Sequence, residues 1–277
     1  MKRVIFLLAL VTGLNGCVSL TEVREFAGES ASLASYKDLT THFRDTYTRE
    51  APYLTESNQA AAQANDAKRQ AAYADLLKVH DAVTLYMVTL GTLAGEKTFD
   101  LAPNIDAASS QIKTHAEFGL DAKHVDAIAA IVKLAVGRAT AYYQQDAVKD
   151  MIRAGDSPLQ TSLTGMSNLL RIYRKTHENE RRQVLGLFET ELALAKAHPK
   201  DPLLLALAKL HQEKKAAEFA AMDSKFNIAE KAVQHIAAGH TQLYRSVDNL
   251  SSAELKATLS SLNKDMKLLR KQLQALH

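Results

Sequence analysis

Apolar residues recur along this chain in steps of three and four. Leu76, Val79, Val83, Tyr86, Leu90 and Leu93 form one such series, and Met222, Phe226, Ala229, Val233, Ile236, His240, Leu243 and Val247 form another. A third, in the last segment, comprises Leu255, Leu259, Leu262, Met266, Leu269, Leu273 and Leu276. That spacing puts all members of a series on one helical face, as an a/d-type seam that packs helices at about 20° to one another. No strand-like alternation of comparable length competes with it. The chain therefore reads as all-α: an elongated antiparallel bundle of long helices with coiled-coil-like seams.

Breaks near Pro52, Gly95–Pro103, Gly119, Gly155–Pro158, His198–Pro202 and Asp248–Ser252 divide it into about seven helical segments. Several breaks carry start signals. Ser157 with Gln160, Ser251 with Glu254, and Ser19 with Glu22 read as capping boxes, and Asp201-Pro202 reads as an N-cap followed by proline at the first helical position. The segments over 158–197 and 202–247 are long enough to span on the order of 60 Å each at 1.5 Å per residue. Alanines crowd the stretch from Asn58 to Ala74, which predicts a close approach of backbones there.

Composition agrees with the pattern. Among 277 residues there are 11 glycines, 5 prolines and no tryptophan, while 47% are hydrophobic, enough to fill a core. Charge narrows the partners. Of 34 basic residues, Lys2 and Arg3 lie in the leader discussed below, leaving 32 against 31 acidic ones. A nearly neutral mature chain has no bulk electrostatic attraction for nucleic acid.

Residues 1–16 have the three parts of an export signal: Lys2 and Arg3, a short apolar run from Val4 to Val11, and a small-residue cleavage site ending at Gly16. The run is well short of the roughly 20 apolar residues of a spanning helix. The only cysteine, Cys17, follows at once. Leu14-Asn15-Gly16-Cys17 resembles the lipobox of bacterial lipoproteins, with Asn15 where Ala or Ser is more usual. The resemblance covers the leader alone. It implies cleavage before Cys17, diacylglycerol on its thiol and usually acylation of the new amino group. Two or three acyl chains hold a protein stably at a membrane, where one is marginal. Val18, in place of the Asp that marks inner-membrane retention, points by the same resemblance to the periplasmic face of an outer membrane. The other reading is an ordinary secretory leader with a buried cysteine nearby. The domain division is thus a signal peptide over 1–16 and a helical bundle over 17–277, lipidated at Cys17, with its first helix starting almost at the anchor.

Candidate chemistry is sparse. Di-metal sites in bundles use Glu-x-x-His motifs from paired helices. Here His177 and Glu180 run in the reverse order, and Asp121 with His124 stands alone. His177, Glu180 and His240 fall on otherwise apolar seams, where a polar layer that fixes register is favoured over a ligand site. No Gly-x-Ser-x-Gly elbow occurs. Gly91 and Gly95 mark close packing or a helix end rather than a membrane dimer. Basic runs at Arg171, Arg174, Lys175, Arg181 and Arg182, and at Lys264, Lys267, Arg270 and Lys271, read as solvated faces, with a membrane-facing role for one of them as the alternative. The seam of the last helix either closes the bundle's own core or docks in a partner's groove.

No catalytic, cofactor-binding or metal-binding residue is assigned, and Cys17 is the one site residue, for lipid attachment. The expectation is a non-enzymatic, lipid-anchored envelope protein acting as a scaffold, assembly accessory or periplasmic inhibitor, with a protein partner or a second copy of itself. The alternative is a helical-bundle carrier of a small hydrophobic ligand or lipid. A packed interior favours the first, an apolar tunnel the second, and a polar cleft with converging titratable groups an enzyme.

Overall fold

The computed structural model describes residues 20–33, 36–95, 111–138, 145–197 and 201–276. Its helices are α1 (Thr21–Ser32), α2 (Tyr36–Arg44), α3 (Thr46–Glu50), α4 (Glu56–Leu93), α5 (Ala122–Arg138), α6 (Gln145–Ala197), α7 (Pro202–Arg245) and α8 (Ala253–Ala275). Short 3-10 turns lie at Ala51–Tyr53, Ala116–Phe118 and Val247–Asn249. The fold is the all-α, elongated antiparallel bundle that the seams predict.

Its frame is the antiparallel pair α6–α7. With 53 and 44 residues they are about 80 and 66 Å long at 1.5 Å per residue. Their register is fixed by cross-helix contacts all along: His240 to Asp156 at 2.9 Å, Arg174 to Glu230 at 3.1 Å, and the rings of Phe188 and His211 at 5.3 Å. One mostly apolar core runs between this pair and the other helices. The α4 series from Leu76 to Leu93 is wholly buried, and so are Phe226 to Val247 of the α7 series.

Helix α1 lies parallel to α8, tied by Lys267 to Glu25 and Arg270 to Glu29, and Phe26 meets Gly239 of α7. α1 thus starts level with the last turns of α7. From there α2 and α3 climb along the frame until Tyr53 stands against Phe188 and His211. Helix α4 then returns, bringing Gly91 back to Ala27, and α5 packs on α4 and α6. The bundle therefore has a thick end, where α1, α4, α6, α7 and α8 meet, and a thin end made by the α6–α7 hairpin.

Most of the predicted boundaries hold. Asp201 caps α7, its Oδ1 accepting from the backbone N–H groups of Leu203 (3.0 Å) and Leu204 (3.2 Å), with Pro202 at the first position. Gly91 packs on Ala27, and Gly95, with φ of 100°, follows the end of α4 in a left-handed conformation. Helix α1 begins at Thr21, but Leu20 is its cap position and has no capping side chain. Ser19 lies outside the described residues, as do Cys17 and the leader over 1–16.

Other expectations need correction. The cap of α8 is Ser252, which accepts from Leu255 N–H, rather than Ser251. Helix α5 is described to Arg138 and α6 from Gln145, and residues 139–144 lie outside the described residues. Residues 56–61 in the alanine-rich start of α4 are exposed, so no helix closes on them.

The largest correction concerns Gly155–Pro158, where α6 runs through without a break. Ser157 is inside the helix and caps nothing, while the Gln160 amide donates to the Ala237 carbonyl and to Thr241 Oγ1 on α7. A proline inside a helix removes one hydrogen bond and costs about 3 kcal/mol. The apolar stripe on either side of it opposes that cost: Val148, Met151, Ile152, Leu159, Leu163 and Leu170 are all buried. At about 1.5–3 kcal/mol for each buried side chain of this size, the stripe outweighs the proline several times over. Gly155 has a different duty from breaking the helix. A Cβ there would lie 2.2 Å from Tyr86 Oη, so only glycine admits that ring. Gly239 admits Phe26 in the same way, again at 2.2 Å.

The seam of α8 closes the bundle's own core, with Leu255, Leu259, Met266, Leu269 and Leu273 buried against α1 and α7. No helix among the described residues is long and apolar enough to cross a membrane.

Three glycine-to-alanine variants separate these roles. Gly155→Ala and Gly239→Ala overpack and lose about 1–3 kcal/mol or more each. Gly186→Ala, where an added Cβ meets nothing within 4 Å, gains about 0.5–1 kcal/mol from helix propensity. Urea titrations followed by circular dichroism give all three signs, and a neutral Gly155→Ala contradicts the packing described.

Candidate functional site

The polar residues on the apolar seams are gathered into buried layers. In the upper layer α2, α3, α6 and α7 meet. Glu180 is 2% exposed, and Arg49 grips its two carboxylate oxygens with Nε at 2.8 Å and Nη2 at 2.7 Å. The same Nη2 lies 3.2 Å from His42 Nε2, which lies 3.2 Å from His177 Nδ1. An arginine N–H can only donate, so Nε2 of His42 accepts. Burial first, then the Arg49 charge, lowers the His42 pKa to about 2. Burial also lowers that of His177, against the opposing pull of Asp223 and Glu180.

His42, His177 and Glu180 bring three possible metal-ligand atoms within 4.8 Å of one another. A metal ion would need the Glu180 oxygens and His42 Nε2, and the Arg49 guanidinium engages all three of those atoms. The layer is built around an internal cation, which supports the register-fixing reading of His177 and Glu180 over a ligand site.

The lower layer joins α4, α6 and α7. His240, with 0% exposure, has Nδ1 2.9 Å from Asp156 Oδ1 and Nε2 2.8 Å from Tyr86 Oη. The Tyr86 hydroxyl donates to the Met151 carbonyl at 3.1 Å, and the Asp156 carboxylate accepts from His240 Nδ1–H. Burial pushes the Tyr86 pKa up, so the phenol stays protonated, while the His240 hydrogen bond holds the Asp156 pKa down. An Asp–His–hydroxyl chain is also the logic of activated nucleophiles. Here, however, the hydroxyl is sealed in the core, with Tyr86 0% exposed. A third buried histidine, His80, lies 3.3 Å from Thr40 Oγ1, and burial holds it neutral. The pair Asp121 and His124 forms the start of α5, Oδ1 of Asp121 accepting from the His124 backbone N–H at 3.3 Å.

The thin end is different in kind. Leu203, Leu204, Leu207 and Leu210 of α7 are 69%, 65%, 55% and 63% exposed, and Leu194 of α6 is 59% exposed. Beside them an apolar groove of about 480 Å³ runs between the helices, lined by Leu187, Phe188, Leu192, Leu204 and Leu205. A contiguous set of exposed leucines is what monomeric surfaces avoid. Within the interior, by contrast, the void beside His80, Val83, Ala232 and Val233 holds only about 30 Å³, one water's worth.

The residues that sequence reasoning missed are His42, Arg49, Asp156, His80 and the leucines of the thin end. The first two sit on short helices without periodicity. The leucines had a signal, the run Leu203-Leu204-Leu205 with Leu207 and Leu210, which continues no seam. Compared with protein-family models, curated proteins and solved structures, the chain finds no match.

Two measurements probe the layers. Arg49→Leu leaves Glu180 buried and unpaired. With the Arg49 side chain 28% exposed, the loss falls to about 2–4 kcal/mol, below the roughly 3–5 of a fully buried pair. The double variant Arg49→Leu/Glu180→Leu recovers most of it, as a double-mutant cycle in urea shows.

The second measurement is pH dependence. His42, His80 and His177 have folded-state pKa values below the ordinary 6.5. Their contribution is complete above pH 6.5 and is lost as pH falls, down to about 2 for His42. Each fully depressed histidine costs about 1.4 kcal/mol per unit below its unfolded pKa. The urea midpoint therefore drops between pH 7 and pH 5, and less so in His42→Gln; equal slopes would refute the assignment.

Proposed function

We propose that this is a lipid-anchored bacterial envelope protein, attached through Cys17, that works without catalysis by binding another protein. The observation that carries the reading is the exposed leucine cluster at the thin end of the α6–α7 hairpin. The tight packing of the core supports it. Geometry adds a division of labour. Cys17 lies three residues before Leu20, a reach of at most about 11 Å, so the anchor belongs to the thick end, where α1 begins. Leu207 is 32 residues before Gly239 on α7, or on the order of 50 Å away along the helix. On this reading the anchor and the leucines lie at opposite ends of the bundle. By the lipobox resemblance the membrane is the outer one, with the body in the periplasm.

The groove beside the leucines favours a second reading. Its 480 Å³ is within the range of small-molecule sites, so a carrier of a hydrophobic ligand would hold it there, at the hairpin end. The tight interior offers such a carrier no room.

A photocrosslinking residue at Leu210 in intact cells tests both. The expected result is a discrete protein adduct that disappears in Leu204→Ser/Leu207→Ser, a variant of unchanged thermal stability, and in Cys17→Ala. A strictly monomeric protein with no adduct rejects the interaction reading. A co-purifying lipid or metabolite in native mass spectrometry, lost in the same double variant, establishes the carrier instead. Mass spectrometry showing no acyl chain on Cys17 removes the anchor from either account.

A further inference from the structure

A second opening lies on the flank of the bundle, where α2, α3, α4 and α6 converge beside the 3-10 turn Ala116–Phe118. It is a cleft of about 260 Å³, room for about eight waters at roughly 30 Å³ each. Its walls are mixed: Phe43, Phe118 and Ile172 give an apolar side, and Asn65, Thr176 and Asn179 a neutral polar one. Its charges are unbalanced. Lys68, Arg69 and Lys175 line the cleft against a single carboxylate, Glu50.

Arg69 is the unusual member. It is 5% exposed, and its Nε and Nη2 are buried without a hydrogen-bond partner. The Asp66 carboxylate forms an ion pair with Nη2 at 3.6 Å, too long for a hydrogen bond, and the ring centre of Phe43 is 5.9 Å from the guanidinium carbon. Its neighbour Arg49 shows what this group ordinarily does in the same fold, gripping the Glu180 carboxylate with both Nε and Nη2. Burying a guanidinium without such bonds costs more than the pairing returns, and a buried donor left unpaired calls for a partner. Arg69 is paired with Asp66, but no ion pair among the described residues joins Glu50, Lys68 or Lys175 to another charge, so the two lysines give the cleft its excess of positive charge.

We propose that this cleft binds a small organic acid, its carboxylate drawn to Arg69, Lys68 and Lys175 and its apolar body resting on Phe43, Phe118 and Ile172. The site is independent of the leucine end and of the anchor. Arginine supplies the planar donors suited to a carboxylate, and the two lysines add charge at the rim. Glu50 opposes the ligand's charge. Burial raises its carboxyl pKa.

The probe is benzoate, a carboxylate on a flat apolar body, titrated calorimetrically into the purified full chain, with benzamide and inorganic phosphate as separate arms. Saturable binding of benzoate, with benzamide silent, is the expected result. Lys68→Gln/Lys175→Gln, whose side chains are at the surface, weakens binding by about tenfold or more, and Glu50→Gln strengthens it. Lys133→Gln, on the exposed side of α5, leaves it unchanged. The proposal is overturned if benzoate gives no saturable binding, if benzamide binds equally, or if the lysine pair has no effect. Binding of phosphate with benzoate silent overturns it too, since the occupant is then a phosphate compound.

Discussion

The structure depends on α6 and α7 staying in register past Pro158. If α6 ended there, Asp156 and His240 could not face each other while Arg174 and Glu230 did so farther along, because a turn would shift one contact relative to the other. An uninterrupted helix links the two layers rigidly. The continuous burial from Val148 to Leu170 holds the proline in place, and Gly155 lets the Tyr86 ring enter where any other residue would exclude it. Local propensity is overruled by tertiary packing at the one point where the frame needs it.

The buried polar groups follow a common rule. Burial holds His42, His80 and His177 toward their neutral forms, and the Arg49 guanidinium is matched by Glu180. Layers of this sort add little net stability compared with an apolar core. Their effect is on specificity, since a slip of one helical step would leave Glu180, His240 or Asp156 facing hydrocarbon. At the Arg69 cleft a buried charge has Nε and Nη2 without a hydrogen-bond partner.

The fold was legible in the sequence to the extent that it follows from period. The three seams are buried almost residue for residue, with Met222, Leu262 and Leu276 half-buried at their edges. Asp201-Pro202 marked a helix start correctly because both cap and proline act locally. Gly155–Pro158 misled because glycine and proline were read as local punctuation, whereas Gly155 answers to a ring on another helix. The polar layer was half visible: His177, Glu180 and His240 interrupt seams and so stand out, but His42 and Arg49 come from short helices more than a hundred residues away in sequence. Arg69 gave no signal at all, since an arginine in an alanine-rich, polar stretch looks like any solvated residue until α2 and α6 cover it.

The taper of the bundle also grades its resistance to opening. At the thick end five helices support one another; beyond Tyr53, α6 and α7 have chiefly each other. Of residues 181–196 only Val184 and Leu192 are buried, and none of 201–218 is. Few buried contacts mean a low cost of local opening. Amide hydrogens there will exchange long before those around Tyr86, and the hairpin end can separate, reseat or rewrap its leucines while the body stays folded. The molecule is thus a rigid mount carrying a compliant end, and what meets the leucines encounters a surface that can adjust to it.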